Sequence, residues 1–229
     1  AVRVNNSLVP NSRWYSGSGI YRDVYLVRTN EVHFDHFGVR CATNGLYPEQ
    51  DMASLQIRSR VRNDSEKPVN TGVLHKVYDS DGRMVSVSGT ALSLGAGETG
   101  DCMVRPNVEA PHLWTDEDPY LYTLVSTVIA DGKETDSVTC LYLYTLVSTV
   151  IADGKETDSV TCRIGIRTAC FDSEKGFLLN GKTVKIKGMC LHHDCGLTGA
   201  VGLRESWERR LKTLKDMGCN GIRCSHNPQ

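Results

Sequence analysis

Hydrophobic and polar positions are most clearly ordered near the C-terminal end of the chain. In residues 184–191, apolar side chains alternate with basic or small ones and lead into His-His-Asp at 192–194. This pattern is typical of a strand whose end carries polar groups. Apolar residues recur every three or four positions over residues 204–217, which predicts an amphipathic helix. Residues 221–225 predict a second strand, and strand, helix and strand form the βαβ unit of a parallel sheet.

Residues 31–168 show a different pattern, a series of short strands separated by turns. Residues 55–62 alternate cleanly, with Leu, Ile, Ser and Val on one side and polar or basic residues on the other. Turn sequences rich in glycine or aspartate follow at 79–82 and 95–97. Short strands at roughly ten-residue spacing indicate an antiparallel sandwich.

An exact internal repeat interrupts this series. Residues 120–140 and 142–162 are the same 21-residue sequence, offset by 22 positions. Each copy has the pattern of a complete β-hairpin, with an Ala-Asp-Gly-Lys turn. The copies have not diverged, which indicates a recent in-frame duplication or an assembly artefact. Residues 31–168 less one 22-residue unit number 116, close to the ~100 residues of such a sandwich. We expect one hairpin to be extruded or added at a sheet edge, and the local pattern leaves open which copy pairs.

Composition excludes several classes of partner. The net charge of -1 gives no electrostatic reason to bind nucleic acid or an anionic membrane surface. No apolar run approaches the roughly 20 residues of a membrane span. The nine cysteines lack the regular spacing of a disulfide framework, so the redox compartment stays open. No signal-peptide pattern is present, and the location is left undecided between periplasm and cytoplasm.

Two motifs at the C-terminal end resemble a known family. Residues 187–194 read Lys-Gly-Met-Cys-Leu-His-His-Asp, and residues 221–228 read Gly-Ile-Arg-Cys-Ser-His-Asn-Pro. They resemble the first two barrel strands of glycoside hydrolase family 2, the β-galactosidase and β-glucuronidase group. Residues 13–24 resemble the last strands of that family's jelly-roll domain. Residues 111–122 resemble the start of the last hairpin of its immunoglobulin-like domain.

The resemblance implies a mostly β protein with three parts. Residues 1–30 would be the C-terminal strands of the jelly-roll sugar-binding domain, including a strand over residues 20–27. Residues 31–168 would be the immunoglobulin-like β-sandwich, with the duplicated hairpin. Residues 169–229 would begin the (β/α)8 catalytic barrel and contain its first βαβ unit. Because two parallel strands cannot close a barrel and the chain lacks an initiator Met, we expect an internal fragment of a longer enzyme.

The resemblance also implies the roles of four side chains. His192 and His226 would donate hydrogen bonds to sugar hydroxyls or stabilise the transition state, and Arg223 would orient the catalytic nucleophile. Asp194 would bind a hydroxyl. In this family both catalytic glutamates come from later barrel strands, so no catalytic residue is assigned. Glu205 and Glu208, in the first turns of the predicted helix, are explained by the helix dipole.

The expected function is therefore part of a retaining exo-glycosidase that hydrolyses terminal β-glycosides, foremost β-galactosides. A carbohydrate is the expected partner, with no cofactor, and the oligomeric state of the parent enzyme is open. The fragment itself is expected to be inactive. One alternative is a non-catalytic carbohydrate-binding or scaffold sandwich. Another is a Cys/His metal site, which the Cys-x4-Cys spacings do not favour; no metal ligand is assigned.

Overall fold

The computed structural model describes residues 2–5, 7, 19–130, 133–136 and 159–226. These residues fall into two compact units. One comprises Arg28–Thr183, and the other combines Ala1–Val27 with Val184–Gln229. The larger unit contains the sandwich, and the smaller contains the βαβ unit, so the two are described in turn.

Two antiparallel sheets form the sandwich. The first has the order β1-β2-β5, with the short β6 also on β2. Its strands are β1 Val32–Tyr47, β2 Met52–Asn63, β5 Thr99–Val104 and β6 Asn107–Glu109. The second has the order β4-β3-β7, with β8 and β9 both on the far side of β7. Its strands are β3 Val69–Tyr78, β4 Met84–Leu94, β7 Tyr122–Ala130, β8 Lys133–Asp136 and β9 Ser159–Ile164. The predicted antiparallel sandwich is confirmed.

The core lies between these sheets, as the alternation of β2 predicts. Leu55, Ile57, Ser59 and Val61 all face inward and are at most 2% exposed. Strands of both sheets contribute to two apolar clusters, one around Phe34, Val61, Val73 and Val128 and the other around Leu55, Ile57, Val77 and Leu124. Fully burying a side chain of this size stabilises the fold by about 1.5–3 kcal/mol, so the two clusters supply most of the driving force for the sandwich.

A polar layer separates the two clusters. His75 of β3 is 1% exposed, and it lies between Ser126 of β7 and Ser59 of β2. Its Nδ1 is 2.7 Å from Ser126 Oγ, and its Nε2 is 3.2 Å from Ser59 Oγ. A neutral imidazole has one donor and one acceptor nitrogen, and each hydroxyl can match either. Burial lowers the pKa of His75 to about 4, so the ring is neutral. Its hydrogen bond to Ser59 joins the two sheets, and its bond to Ser126 links neighbouring strands of the second sheet.

Residues 99–109 form two short strands rather than one. The division between β5 and β6 falls at Arg105 and Pro106. Proline has no N–H to donate to a ladder, but its carbonyl accepts a hydrogen bond of 2.9 Å from Leu55 N. Despite the interruption, both pieces pair with the same strand, β2.

The edge of the second sheet contains parts of both repeat copies. β7 belongs to the first copy, and it pairs with β8 of that copy from Val128 to Ala130 and with β9 of the second copy from Tyr122 to Thr127. Residues 137–158 lie outside the described residues, as do 131 and 132. The native edge is thus shared between the copies, rather than formed by either hairpin alone.

A small three-stranded sheet completes the larger unit. It consists of β10 Ala169–Asp172, β11 Gly176–Leu179 and β12 Lys182–Thr183. Asn180 and Gly181 join the last two strands with φ of 51° and 77°, which is the geometry of a type I′ turn.

Trp114 ties this small sheet to the sandwich. Asn180 Nδ2 donates to the Trp114 carbonyl at 3.0 Å, and Asn180 Oδ1 accepts from Thr168 N at 3.0 Å. The Arg167 guanidinium lies 4.1 Å from the centre of the Trp114 ring, and a Cβ on Gly165 would meet that ring at 2.9 Å. These contacts explain why residues 169–183 group with the sandwich, although the family resemblance assigns them to the barrel.

The smaller unit contains the predicted βαβ arrangement. β13 Gly188–His192 and β14 Gly221–Ser225 are parallel, and α1 Arg204–Asp216 lies between them in the chain. Gly218, with φ of 85°, follows the helix where a left-handed residue ends it. No residue of α1 is fully buried, and no helix in the described ranges is long and apolar enough to cross a membrane.

The N-terminal segment differs from the prediction. The expected strand over residues 20–27 is not formed, and residues 20–30 have no regular secondary structure. Its apolar side chains are exposed, Leu26 at 98% and Val24 at 76%. Strands need a paired neighbour to satisfy their backbone groups, and no described strand pairs with this segment. Its assignment to a jelly-roll domain stays a prediction, and residues 8–18, with the tryptophan and tyrosine of the motif, lie outside the described residues.

Candidate functional site

Two adjacent parallel strands carry the predicted site residues to one end. Register pairs Gly188 with Gly221 at the start and His192 with Ser225 at the end. Carboxyl ends of parallel strands lie at the same edge, where barrel enzymes place their chemistry. His192 is the last residue of β13, and His226 directly follows β14.

The two histidines are close together. The ring centres of His192 and His226 lie 5.8 Å apart, and the rings are nearly perpendicular, at 87°. His192 is half-buried and His226 is exposed. One ring is therefore held by its strand while the other faces solvent, an arrangement that can present two imidazoles to one polar ligand.

Arg223 shares the His192 face of this two-stranded sheet. Paired residues of neighbouring strands project to the same side, and Arg223 pairs with Cys190 while Ser225 pairs with His192. Arg223 Nη1 donates to Ser225 Oγ at 3.1 Å, and Ser225 is only 3% exposed. A buried hydroxyl thus fixes one end of the guanidinium. Because a guanidinium has five donors, others remain for a carboxylate.

Asp194 serves the loop that follows β13. Its Oδ1 accepts a hydrogen bond of 3.1 Å from Gly196 N, and its own N–H donates to the His192 carbonyl at 2.7 Å. These bonds shape the turn directly after the strand. Asp194 thus lies directly after the end of β13, and its role toward a sugar hydroxyl stays a prediction.

Asn220 fixes the opposite end of the strand pair. Its Oδ1 accepts from Lys187 N at 2.8 Å, and its Nδ2 donates to the Lys185 carbonyl at 3.2 Å. Its backbone N–H also donates to the Lys187 carbonyl at 3.1 Å. Sequence reasoning missed this residue, because an asparagine after a helix reads only as a loop residue.

Tyr21 is a second residue that sequence reasoning missed. Its ring centre lies 6.5 Å from that of His193, so the N-terminal segment reaches the loop after β13 within the smaller unit. His193 is half-buried. The signal for this contact was the resemblance of residues 13–24 to a sugar-binding domain, which did not single out the tyrosine.

The two glutamates of α1 are engaged elsewhere. Glu208 Oε1 accepts two hydrogen bonds of 2.9 Å from Arg204, one turn earlier. Glu205 lies in the first turn, where a negative charge stabilises the helix. The position of Glu205 agrees with the explanation given from the sequence, whereas Glu208 lies beyond the first turn and is explained by its pair with Arg204.

No metal centre is formed by the residues that the structure describes. Among them, no group of three or more His, Cys, Asp or Glu side chains is placed to hold an ion. None of the eight described cysteines forms a disulfide with another described residue.

Comparison with known proteins gives consistent matches. The model described as Glycosyl hydrolases family 2 matches residues 41–140, and the model of that family's TIM barrel domain matches residues 172–229. The chain is 39% identical to "Beta-galactosidase BoGH2A" of Bacteroides ovatus, covering 100% of this chain and 24% of that protein. It is 28% identical to "Beta-glucuronidase" of Bacteroides fragilis, covering 100% of this chain and 31% of that protein.

Solved structures agree with these matches. A crystal structure described as a glycosyl hydrolase family 2 member from Bacteroides cellulosilyticus has a TM-score of 0.78 and 33% identity, covering 94% of this chain and 26% of that one. The chain thus spans about a quarter to a third of the length of the curated relatives named above. The mostly β fold class is confirmed by the structure and by these neighbours.

Proposed function

Because this chain belongs to glycosyl hydrolases family 2, we propose that it is part of a retaining exo-glycosidase that hydrolyses terminal β-glycosides, specifically β-galactosides. The observation that carries the proposal is the pair His192 and His226, 5.8 Å apart at the ends of two parallel strands, with Arg223 on the His192 face. The preference for galactosides is supported by the 39% identity to a relative named as a β-galactosidase.

The division of labour follows from the chemistry of retention. A retaining glycosidase needs two carboxyl groups about 5–5.5 Å apart, one as nucleophile and one as general acid and base. None of the acidic residues near the described site takes either role, because Glu205 and Glu208 serve the helix and Asp194 shapes a turn. These 229 residues would therefore bind and orient, and the chain alone would be catalytically inactive.

Each site residue would contribute a distinct interaction. His192 and His226 would hydrogen-bond the hydroxyls of the terminal sugar. Arg223, held by Ser225, would donate to the carboxylate nucleophile. A charge-assisted bond of this kind keeps a carboxylate ionised at neutral pH, which a nucleophile requires.

A chimera tests the proposal. The matched quarter of the Bacteroides ovatus relative is replaced by this chain, with one 22-residue repeat unit removed, and nitrophenyl β-galactoside and β-glucuronide are offered as substrates. We expect hydrolysis of the galactoside, and none by the 229-residue chain alone. Arg223→Ala in the chimera should lower kcat/KM at least ~100-fold, since it removes a charge-assisted contact to the nucleophile.

A matched control is available on the same strand. Cys224 lies next to Arg223 and projects to the other side of the sheet, so Cys224→Ser should leave kcat/KM within about twofold. A folded chimera with no β-glycosidase activity would contradict the proposal and favour a binding or scaffold module. Preferred cleavage of the glucuronide would retain the glycosidase but correct its substrate.

A further inference from the structure

The edge of the second sandwich sheet contains a strand assembled from both repeat copies. Along β7, the ladder passes directly from the rung that joins Val128 and Asp136 to the rung that joins Thr127 and Ser159. Consecutive residues of β7 thus pair with residues that are far apart in sequence. The residues between Asp136 and Ser159, numbers 137–158, are one complete 22-residue repeat unit.

The second copy enters this ladder in the register of the first. Ser159 corresponds to Ser137, since the copies are offset by 22 positions. Ser137 is also the residue that would follow Asp136 on the next rung. β9 therefore places at each rung the same amino acid that the first copy would place there.

We propose that the crossover from the first copy to the second migrates along β7, one rung at a time, so that the two return strands exchange places in the sheet. Every residue from 133 to 140 is identical to the one 22 positions later. A crossover after any of them leaves the same side chains on the same rungs. At every crossover position, 22 residues separate the last first-copy residue in the ladder from the first second-copy residue. The entropy of closing this segment as a loop is therefore constant.

The position of this strand makes the exchange local. Among the described strands, β8 and β9 pair only with β7, so each step breaks and reforms the ladder bonds of one rung. No apolar contact is lost, because the incoming residue is chemically the same as the outgoing one. The duplication is thereby accommodated at an edge without a change in the core between the sheets.

Cys162 gives access to this equilibrium. It pairs with Leu124 and packs against the first core cluster. It also lies near Cys41 of β1, whose pKa is raised to about 12 by burial and, to a smaller extent, by Cys162. The repeat places Cys140 at the equivalent position of the first copy, and under the proposal either cysteine can occupy the rung.

Three variants of the 229-residue chain, built from two aspartate substitutions, test the proposal. Cys162→Asp would be tolerated because the crossover moves and Cys140 takes the rung, and Cys140→Asp because Cys162 already holds it. Both single variants should have a Tm within about 2 °C of the unmodified chain. The double variant must place a carboxylate against the core, and its Tm should fall by about 5 °C or more.

Alkylation by N-ethylmaleimide measures directly which of the two cysteines is protected in the ladder. Trypsin separates the two cysteines, because Cys140 falls in the peptide 134–155 and Cys162 in the peptide 156–163. In Cys162→Asp, the alkylation of Cys140 should slow at least ~5-fold, since the thiol becomes protected in the ladder. In Cys140→Asp, the rate at Cys162 should stay unchanged.

A fixed register predicts different results. Cys162→Asp would then lose as much stability as the double variant, and the alkylation rate of Cys140 would not change. Either result would overturn the proposal, as would equal stability of all three variants, because the rung would then contribute nothing. The exchange of the two return strands does not depend on the glycosidase assignment.

Discussion

The sandwich and the βαβ unit differ in how completely they bury their apolar side chains. In the sandwich, two sheets cover each other and side chains such as Leu55, Ile57 and Leu124 are at most 1% exposed. In the βαβ unit, Leu211 of the helix is 45% exposed and Met217 is 68% exposed. Two parallel strands and one helix cannot enclose a core, whereas two antiparallel sheets can. The site residues thus lie on the part of the chain that is least stabilised by its own packing.

The largest expected effect is a loss of stability in the sandwich, the unit whose core is closed. Ile57→Ala empties a fully buried position between the two sheets and should lower the free energy of unfolding by about 3 kcal/mol. Urea unfolding, followed by the circular dichroism of the β-sheets, measures the loss. Leu211→Ala, on the open helix, is the matched control and should cost less than about 1 kcal/mol. Equal losses would contradict the contrast between the units.

A pH titration measures how much the polar layer around His75 contributes to the stability of the sandwich. Burial lowers the pKa of His75 from 6.5 to about 4, so the unfolded chain binds a proton that the folded chain does not. The stabilisation gained by keeping His75 neutral is therefore complete above about pH 7. It decreases as the pH falls from 6.5 to about 4, and it does not change further below that. The loss should reach about 3 kcal/mol. His75→Gln, measured by urea unfolding at pH 7, 5.5 and 4.5, should remove this part of the slope, and an unchanged slope would exclude His75 as its source.

The junction of the small sheet gives the next effect. Trp114→Ala removes the half-buried ring between Gly165 and Arg167 and should cost about 2 kcal/mol, less than a fully buried Trp. Limited trypsin digestion should then cut sooner after Lys175, in the small sheet. Arg167→Ala, which removes only the cation–π contact, should cost about 0.5–1 kcal/mol. If both variants resist digestion equally, the ring does not hold the sheet.

The smallest expected effect concerns the repeat. Removing 22 residues, whether 120–141 or 137–158, yields the same sequence, which restores one hairpin to the edge of the sandwich. We expect the Tm to change by less than about 2 °C, or to rise, because the sandwich keeps every rung. Differential scanning calorimetry and soluble yield are the measurements. A clear loss of both would show that the duplicated unit is structural.

The sequence predicted elements well where periodicity alone decides them. The inward face of β2 and the βαβ unit followed from alternation and from the three-to-four spacing of apolar residues. The predicted strand over residues 20–27 was wrong, because a local pattern does not say whether a neighbouring strand is present to pair with it. The duplicated copies could not be distinguished at all, since their local patterns are identical and only the ladder on β7 separates them.

For the candidate site, the sequence predicted which residues lie at the strand ends, but not how their side chains are arranged. The ends of the two strands indicated His192 and His226, and the structure places their rings together. The contact of Arg223 with Ser225 depends on strand register, which no local pattern specifies. His75 escaped prediction for a related reason: a lone histidine in an alternating strand gives no sign that two serines from other strands will meet it.

The side-chain amide of Asn220 affects the C-terminal ends of β13 and β14, where the candidate site residues lie. A complete barrel sets the stagger of its strands by closing on itself, but here one side chain joins β14 to the residues before β13. A slip of one residue would turn every side chain of β14 to the other side of the sheet, which would take Arg223 away from Cys190 and His192. The asparagine therefore sets the register at the N-terminal end of the strand pair, and that register determines which residues of β14 lie beside His192 at the other end.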